Sequence, residues 1–123
     1  MAVNSIGTDI EEIERVKEVV EAWGDRFLRR VFTEKEIEYC NSLAEKYGSL
    51  AARFAAKEAI LKAIGISKGH GIRWKDIEIL NHKNGKPRVK LHNNARKHVK
   101  DEKRVLISLS HARKYVVAMA VIS

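Results

Sequence analysis

Apolar residues return at Ile10, Ile13, Val16, Val19, Val20 and Trp23, with Glu11, Glu14, Arg15 and Glu18 between them. That spacing predicts an amphipathic helix, which Gly24 would end. Ahead of it, Ala2 to Asp9 reads as a short strand carrying Val3 and Ile6. Thr33-Glu34-Lys35-Glu36 has the form of a capping box, with the threonine hydroxyl serving the N3 amide and Glu36 returning to the cap. It opens a second helix whose apolar stripe is Ile37, Cys40, Ala44 and Tyr47, with Gly48 as its stop. A third helix, Ser49 to Ile64, is apolar almost all round, so it should be central and buried until Gly65 closes it.

The remainder reads as strand. Ile77 and Ile79 alternate with Asp76 and Glu78, Asn84-Gly85 is a hairpin turn signal, and Val89 and Leu91 alternate with Arg88 and Lys90. Pro87 marks an edge or a strand entry. A short helix is expected near Ala95 to Asp101. Two further strands, Val105 to Ser110 and Tyr115 to Ile122, are joined through His111-Ala112-Arg113-Lys114. One strand, three helices, then antiparallel strands in hairpins make an α+β fold, and 123 residues suit one domain spanning 1–123. The last strand is apolar on both faces, which points to burial against other copies of the chain.

With 45% hydrophobic and 33% charged residues the chain is globular rather than disordered. No apolar run approaches the roughly 20 residues that span a bilayer, the N-terminus lacks a signal-peptide pattern, and one cysteine forms no internal disulfide. A cytoplasmic protein is expected. The net charge of +8 favours a polyanionic partner, and on composition alone nucleic acid comes first. Scattered aromatics with no RNP-like strand give sequence-specific RNA stacking no support.

Candidate chemistry begins in the third helix, where Arg53, Lys57, Glu58 and Lys62 interrupt apolar surroundings. Glu58 and Lys62 stand one turn apart and would pair, as Arg53 and Lys57 stand one turn apart. Three cations against one carboxylate leave positive charge over, which a phosphate or metal–phosphate group would absorb. Asp9 is either an N-cap for the helix opening at Ile10 or, with Glu58, a ligand pair for Mg²⁺. Cys40 reads as a small core residue, and His111 as a turn residue. No zinc spacing, dinucleotide loop or nucleophile elbow is present.

Four segments together resemble the holo-acyl-carrier-protein synthases, the small phosphopantetheinyl transferases. They are Gly7-Thr8-Asp9-Ile10 with Arg15, Arg53-Phe54-Ala55-Ala56-Lys57-Glu58-Ala59, Trp74-Lys75-Asp76-Ile77-Glu78-Ile79 with Asn84-Gly85-Lys86-Pro87, and Ser108-Leu109-Ser110-His111 with Tyr115. The resemblance implies transfer of 4′-phosphopantetheine from coenzyme A to a serine of apo-acyl carrier protein, in support of fatty acid biosynthesis. It implies Asp9 and Glu58 as Mg²⁺ ligands, and Lys57 and Lys62 near the phosphates. Arg53 and His111 would lie near the nucleotide, and Gly85-Lys86-Pro87 against the adenosine. Glu58 is the favoured base for the serine, His111 the second choice, with Lys62 alongside. Arg15, Arg26 and Arg30 match the region that receives the acidic carrier, although Glu11, Glu12, Glu14, Glu18 and Glu21 make that helix locally acidic. A homotrimer with sites between protomers is implied, with neither nucleic acid nor a membrane as partner. A basic nucleic-acid module would explain the charge but not Glu58 among buried cations. A non-catalytic scaffold of the same fold would have no need of Asp9 and Glu58.

Overall fold

A computed structural model of the chain describes residues 3–65 and 71–123. Its strands are β1 (Ser5–Glu12), β2 (Ile77–Asn81), β3 (Pro87–Leu91), β4 (Val105–His111) and β5 (Tyr115–Ile122). The helices are α1 (Ile13–Trp23), α2 (Asp25–Val31), α3 (Glu34–Asn41), α4 (Lys46–Ile64) and α5 (Asn94–His98). Short 3-10 turns occupy Trp74–Asp76 and Glu102–Arg104. One sheet has the order β1-β5-β4, all antiparallel, and β2 and β3 form a separate hairpin. The α+β class follows directly from this arrangement.

The first sheet is two-faced because its strands alternate. Val116, Ala118, Ala120 and Ile122 of β5 are buried, beneath a helix α4 that is itself lined with Ala51, Ala55, Ala59 and Ala63. Small residues let the strands approach the helix axis closely. At Gly7 the approach is complete: a Cβ there would overlap the carbonyl oxygen of Ala59 and stand 2.7 Å from Ala63 N. The opposite face keeps Ile6, Ile10, Leu106, Val117 and Met119 exposed.

Several boundaries differ from the sequence expectations, each for a local reason. Ala2, placed in the first strand, lies outside the described residues. β1 runs on to Glu12 because β5 pairs with it as far as Tyr115, so Ile10 joins the ladder and the helix starts at Ile13. Trp23, read as part of the buried stripe, is 60% exposed. Helix α2 was not expected: its seven residues carry Asp25 in the first turn and Arg29 and Arg30 in the last, which suits the helix dipole but gives too short a pattern to read. Helix α3 stops at Asn41, where the Ser42 hydroxyl donates to the Tyr39 carbonyl at 2.6 Å, and Tyr47 and Gly48 open α4 instead. The capping box is as expected: Thr33 accepts from Glu36 N at 3.3 Å and Glu36 accepts from Thr33 N at 2.9 Å.

Candidate active site

The middle of β1 crosses the C-terminal part of α4, and this crossing collects the carboxylates. Asp9, Gly7 and Glu11 share the inward face of β1. Asp9 therefore lies inside a strand, four residues before α1, and does not cap it; the cap position is Glu12, which makes no side-chain cap bond. Lys62 donates to Asp9 Oδ1 at 3.1 Å and to the Thr8 carbonyl at 3.0 Å. The expected Glu58–Lys62 pair is thus replaced, because β1 offers Lys62 a carboxylate and a carbonyl together. Glu58 turns the other way and accepts from the Trp74 indole at 2.8 Å. Trp74 is in turn held by tilted packing on Phe54, with ring centroids 6.1 Å apart.

Lys57 has a different task from the one the resemblance implied. Its side chain is 0% exposed and pairs with Glu36 at 2.8 Å. The remaining hydrogens go to the carbonyls of Trp74 at 3.0 Å and Ile77 at 2.6 Å, so no donor is left for a phosphate. Burial pulls its pKa below the ordinary 10.5, with Glu36 pulling it back. Glu36 completes the knot by accepting from Thr33 N and Ile79 N. This corrects the charge count made from α4 alone: Glu36 on α3 neutralises one cation and Asp9 on β1 a second, leaving Arg53.

Arg53 is 5% exposed and has no carboxylate partner among the described residues. It donates to Ser49 Oγ at 3.1 Å and Asn81 Oδ1 at 2.7 Å, stacks on Tyr39 with its guanidinium 4.5 Å from the ring centroid, and leaves Nε unpaired. Asn81 donates onward to the Gly85 carbonyl at 3.0 Å, which ties the hairpin turn to Arg53. Gly85 needs its φ of +87° to make that turn. Arg53, Gly85, Lys86, Pro87 and His111 line one cavity of 410 Å³ with Ser108 and Leu109. Asp9, Glu58 and Lys62 do not line it. Arg15 on α1 and Arg26 and Arg30 on α2 are exposed, and Arg15 lies near enough to the carboxylate group to act on Glu11.

Three residues of the site were given no site role from the sequence: Glu11, Trp74 and Asn81. Glu11 lies two residues from Asp9 on the same strand face, a parity that could be read only once β1 was known to continue. Its pKa rises from 4.5 to about 8, first through burial, then through the adjacent Asp9 carboxylate and the charge of Glu58, with Arg15 opposing. A carboxyl raised in the folded state holds a proton that the unfolded chain releases. Stability is therefore expected to fall as pH rises from about 4.5 to about 8 in metal-free protein. Adding Mg²⁺ should raise Tm more at about pH 8 than at about pH 5, since metal and proton compete. Glu11→Gln should flatten the pH dependence, as thermal melts will read. An Mg²⁺ shift equal at both pH values would sink this expectation.

The donor set suits a hard divalent cation. Asp9 Oδ2 is buried with no hydrogen-bond partner, beside the carboxyl groups of Glu11 and Glu58, a sign of unmet demand for a cation. Among the described residues no three His, Cys, Asp or Glu side chains form a metal cage by themselves. Such a set suits Mg²⁺, which binds through one or two carboxylates and takes its other oxygens from phosphate and water.

A strand crossing a small-residue helix at a carboxylate pair, with a buried guanidinium cavity behind it, is an arrangement for phosphate-ester chemistry. The chain belongs to the 4′-phosphopantetheinyl transferase superfamily, whose model matches residues 5–120. It is a transferase. The holo-[acyl-carrier-protein] synthase of Chlamydia caviae is 49% identical over 122 residues, covering 98% of each chain. The crystal structure of the Neisseria meningitidis synthase superposes with a TM-score of 0.89 at 29% identity, covering 99% of each chain. The Helicobacter pylori synthase, solved in complex with coenzyme A, gives 0.82 at 29% identity over 96% of this chain and 99% of that one.

Proposed function

We propose that this chain, acting as a homotrimer, moves 4′-phosphopantetheine from coenzyme A to the serine of an apo-acyl carrier protein, releasing adenosine 3′,5′-bisphosphate. The carrier then serves fatty acid biosynthesis. One observation carries the assembled form of this reading: the two groups of site residues lie on opposite sides of α4. Arg53 and Lys62 are nine residues apart, about 180° around the helix and about 13 Å along it. A ligand seated in the Arg53 cavity of one copy therefore needs Asp9 and Glu58 from another.

In that composite site Arg53 and His111 hold the nucleotide end, with Gly85, Lys86 and Pro87 against the adenosine. Asp9 and Glu58 hold Mg²⁺, which when bound screens the negative charge of the pyrophosphate. Lys62 supplies a point charge beside them and keeps Asp9 turned inward. Glu58 has one oxygen committed to Trp74, which fixes the carboxylate plane and leaves the two lone pairs of the other oxygen for the metal and for the serine proton. The β-phosphorus forms its bond to the serine oxygen as its bond to the leaving phosphate oxygen breaks, and the serine proton passes to Glu58. A cytoplasmic site of action goes with this reading and with the free, buried Cys40. Among the described residues no helix is long and apolar enough to cross a membrane.

The exposed apolar face of β1, β5 and β4 is the surface we assign to contact between copies. Light scattering should give a mass near three times 14.0 kDa. Mixing Asp9→Asn protein with Arg53→Ala protein, each inactive alone, should restore partial transfer, since some sites then combine two intact halves. A fully active monomer, or no restoration after verified subunit exchange, would rule out a shared site. The activity itself is tested by incubating the protein with coenzyme A, Mg²⁺ and an apo carrier, then weighing the carrier. A carrier of unchanged mass would refute it.

A further inference from the structure

We propose that Ser49, Asn81 and Tyr39 form an uncharged clamp that orients Arg53 without cancelling its charge, so that the cavity selects nucleotides carrying a 3′-phosphate monoester. The inference rests on the transfer activity proposed above, which places the nucleotide end of coenzyme A in this cavity and the pyrophosphate at Asp9 and Glu58 of another copy. The anion left for Arg53 is then the phosphate on the ribose 3′ oxygen.

Helix α4 buries two cations and treats them differently. Lys57 meets Glu36 at 2.8 Å and gives its other hydrogens to carbonyls, so its charge is answered inside the fold. Arg53 is nearly as enclosed, yet every group that holds it is neutral. Ser49, one turn earlier on α4, accepts from one terminal nitrogen at 3.1 Å, and Asn81 at the end of β2 accepts from the other at 2.7 Å. The Tyr39 ring covers the guanidinium, its centroid 4.5 Å away. Glu45, the acid among the cavity's lining residues, is exposed and forms no ion pair with Arg53.

Neutrality at Asn81 is the informative feature. A carboxylate there would grip the guanidinium harder than an amide does, because a hydrogen bond between two ions is the stronger kind. It would also cancel much of the positive potential in the cavity, which is felt most where water is excluded. The amide orients without neutralising: its oxygen faces Arg53 and its nitrogen donates to the Gly85 carbonyl at 3.0 Å. Enclosing a guanidinium with no counter-charge costs stability in the free protein, and a bound phosphate dianion offsets that cost.

The test separates holding Arg53 from leaving it charged. Asn81→Asp keeps an acceptor in the same place and adds a negative charge, whereas Asn81→Ala removes the acceptor. Calorimetry with adenosine 3′,5′-bisphosphate and with adenosine 5′-monophosphate reads the worth of the 3′-phosphate directly. Wild type should favour the bisphosphate by about a hundredfold, and Asn81→Asp by about tenfold or less. The 5′-monophosphate should bind Asn81→Asp within about threefold of wild type. Asn81→Asp should melt at or above the wild-type temperature, since a charged bond to buried Arg53 outweighs the exposed one lost to Gly85. Asn81→Ala should melt lower by about 4 °C and lose less of the preference. In transfer assays the KM for coenzyme A should rise by about tenfold in Asn81→Asp, while the KM for 3′-dephospho-coenzyme A holds within about threefold. A role in shape alone would tie affinity to stability, so a variant melting as well as wild type would keep its preference. An unchanged preference in Asn81→Asp overturns the clamp. So does an equal loss toward both nucleotides, or an Asn81→Asp protein that melts as low as Asn81→Ala. Wild type with no preference between the two nucleotides overturns it as well, whatever the transfer assay gives. If wild type transfers nothing yet shows the preference, and Asn81→Asp loses it, the proposed activity fails alone and the clamp stands.

Discussion

Asp9→Asn and Glu58→Gln are each expected to lower the transfer rate by on the order of 10²–10³, while melting within a few degrees of wild type. Both replacements keep the shape of the side chain and remove only its charge. Asp9 Oδ2 has no hydrogen-bond partner to lose, and the Lys62 ammonium facing Oδ1 is 55% exposed, so the pair contributes about 1 kcal/mol or less. Glu58→Gln can still accept the indole hydrogen of Trp74 through its amide oxygen. Circular dichroism and thermal melts establish the fold, and carrier mass spectrometry reads the rate. Mg²⁺ titration by calorimetry should show weakened binding in both variants. Substantial turnover by either would remove that residue from the reaction, and intact Mg²⁺ affinity would remove it from the metal.

Lys57→Met should act in the opposite way, unfolding the protein rather than silencing it. Removing the ammonium leaves Glu36 buried without its counter-charge and frees the Trp74 and Ile77 carbonyls, a loss of about 3–5 kcal/mol. Against a typical total of about 5–15 kcal/mol this is a large share, and Tm should fall by about 10 °C or more. The double variant Lys57→Met/Glu36→Gln should recover part of the loss, because no buried charge is then left alone. Denaturant unfolding of the single and double variants gives the comparison. If Lys57 met a phosphate directly, Lys57→Met would instead keep its stability and raise the KM for coenzyme A.

The contrast between these residues shows what could be read without coordinates. Arg53, Lys57, Glu58 and Lys62 stand out in the sequence because charge is costly in an apolar helix, and that reasoning holds for the buried Arg53 and Lys57, less for half-buried Glu58, and not for exposed Lys62. Which carboxylate answers which cation is a tertiary matter. Glu36 lies on α3 and Asp9 on β1, and no periodicity along α4 reports either. The capping box at Thr33, the hairpin at Asn84-Gly85 and the two faces of β5 were legible because each rests on contacts within a few residues or on simple alternation. The end of β1 was not, since Ile10 and Ile13 fit a helical period while the ladder to β5 fixes the backbone of Ile10 as strand. The parity of Glu11 with Asp9 was lost with it.

Gly7 gives the site its gauge. With no side chain between them, β1 and α4 meet through main-chain atoms, and only two residues further along β1 comes Asp9. The gap between the carboxylate-bearing strand and the helix that carries Glu58 is therefore set by hard peptide surfaces, which do not change rotamer with temperature or with the ligand. The jaws are fixed by masonry rather than by a hinge, and even one methyl group at position 7 would widen them.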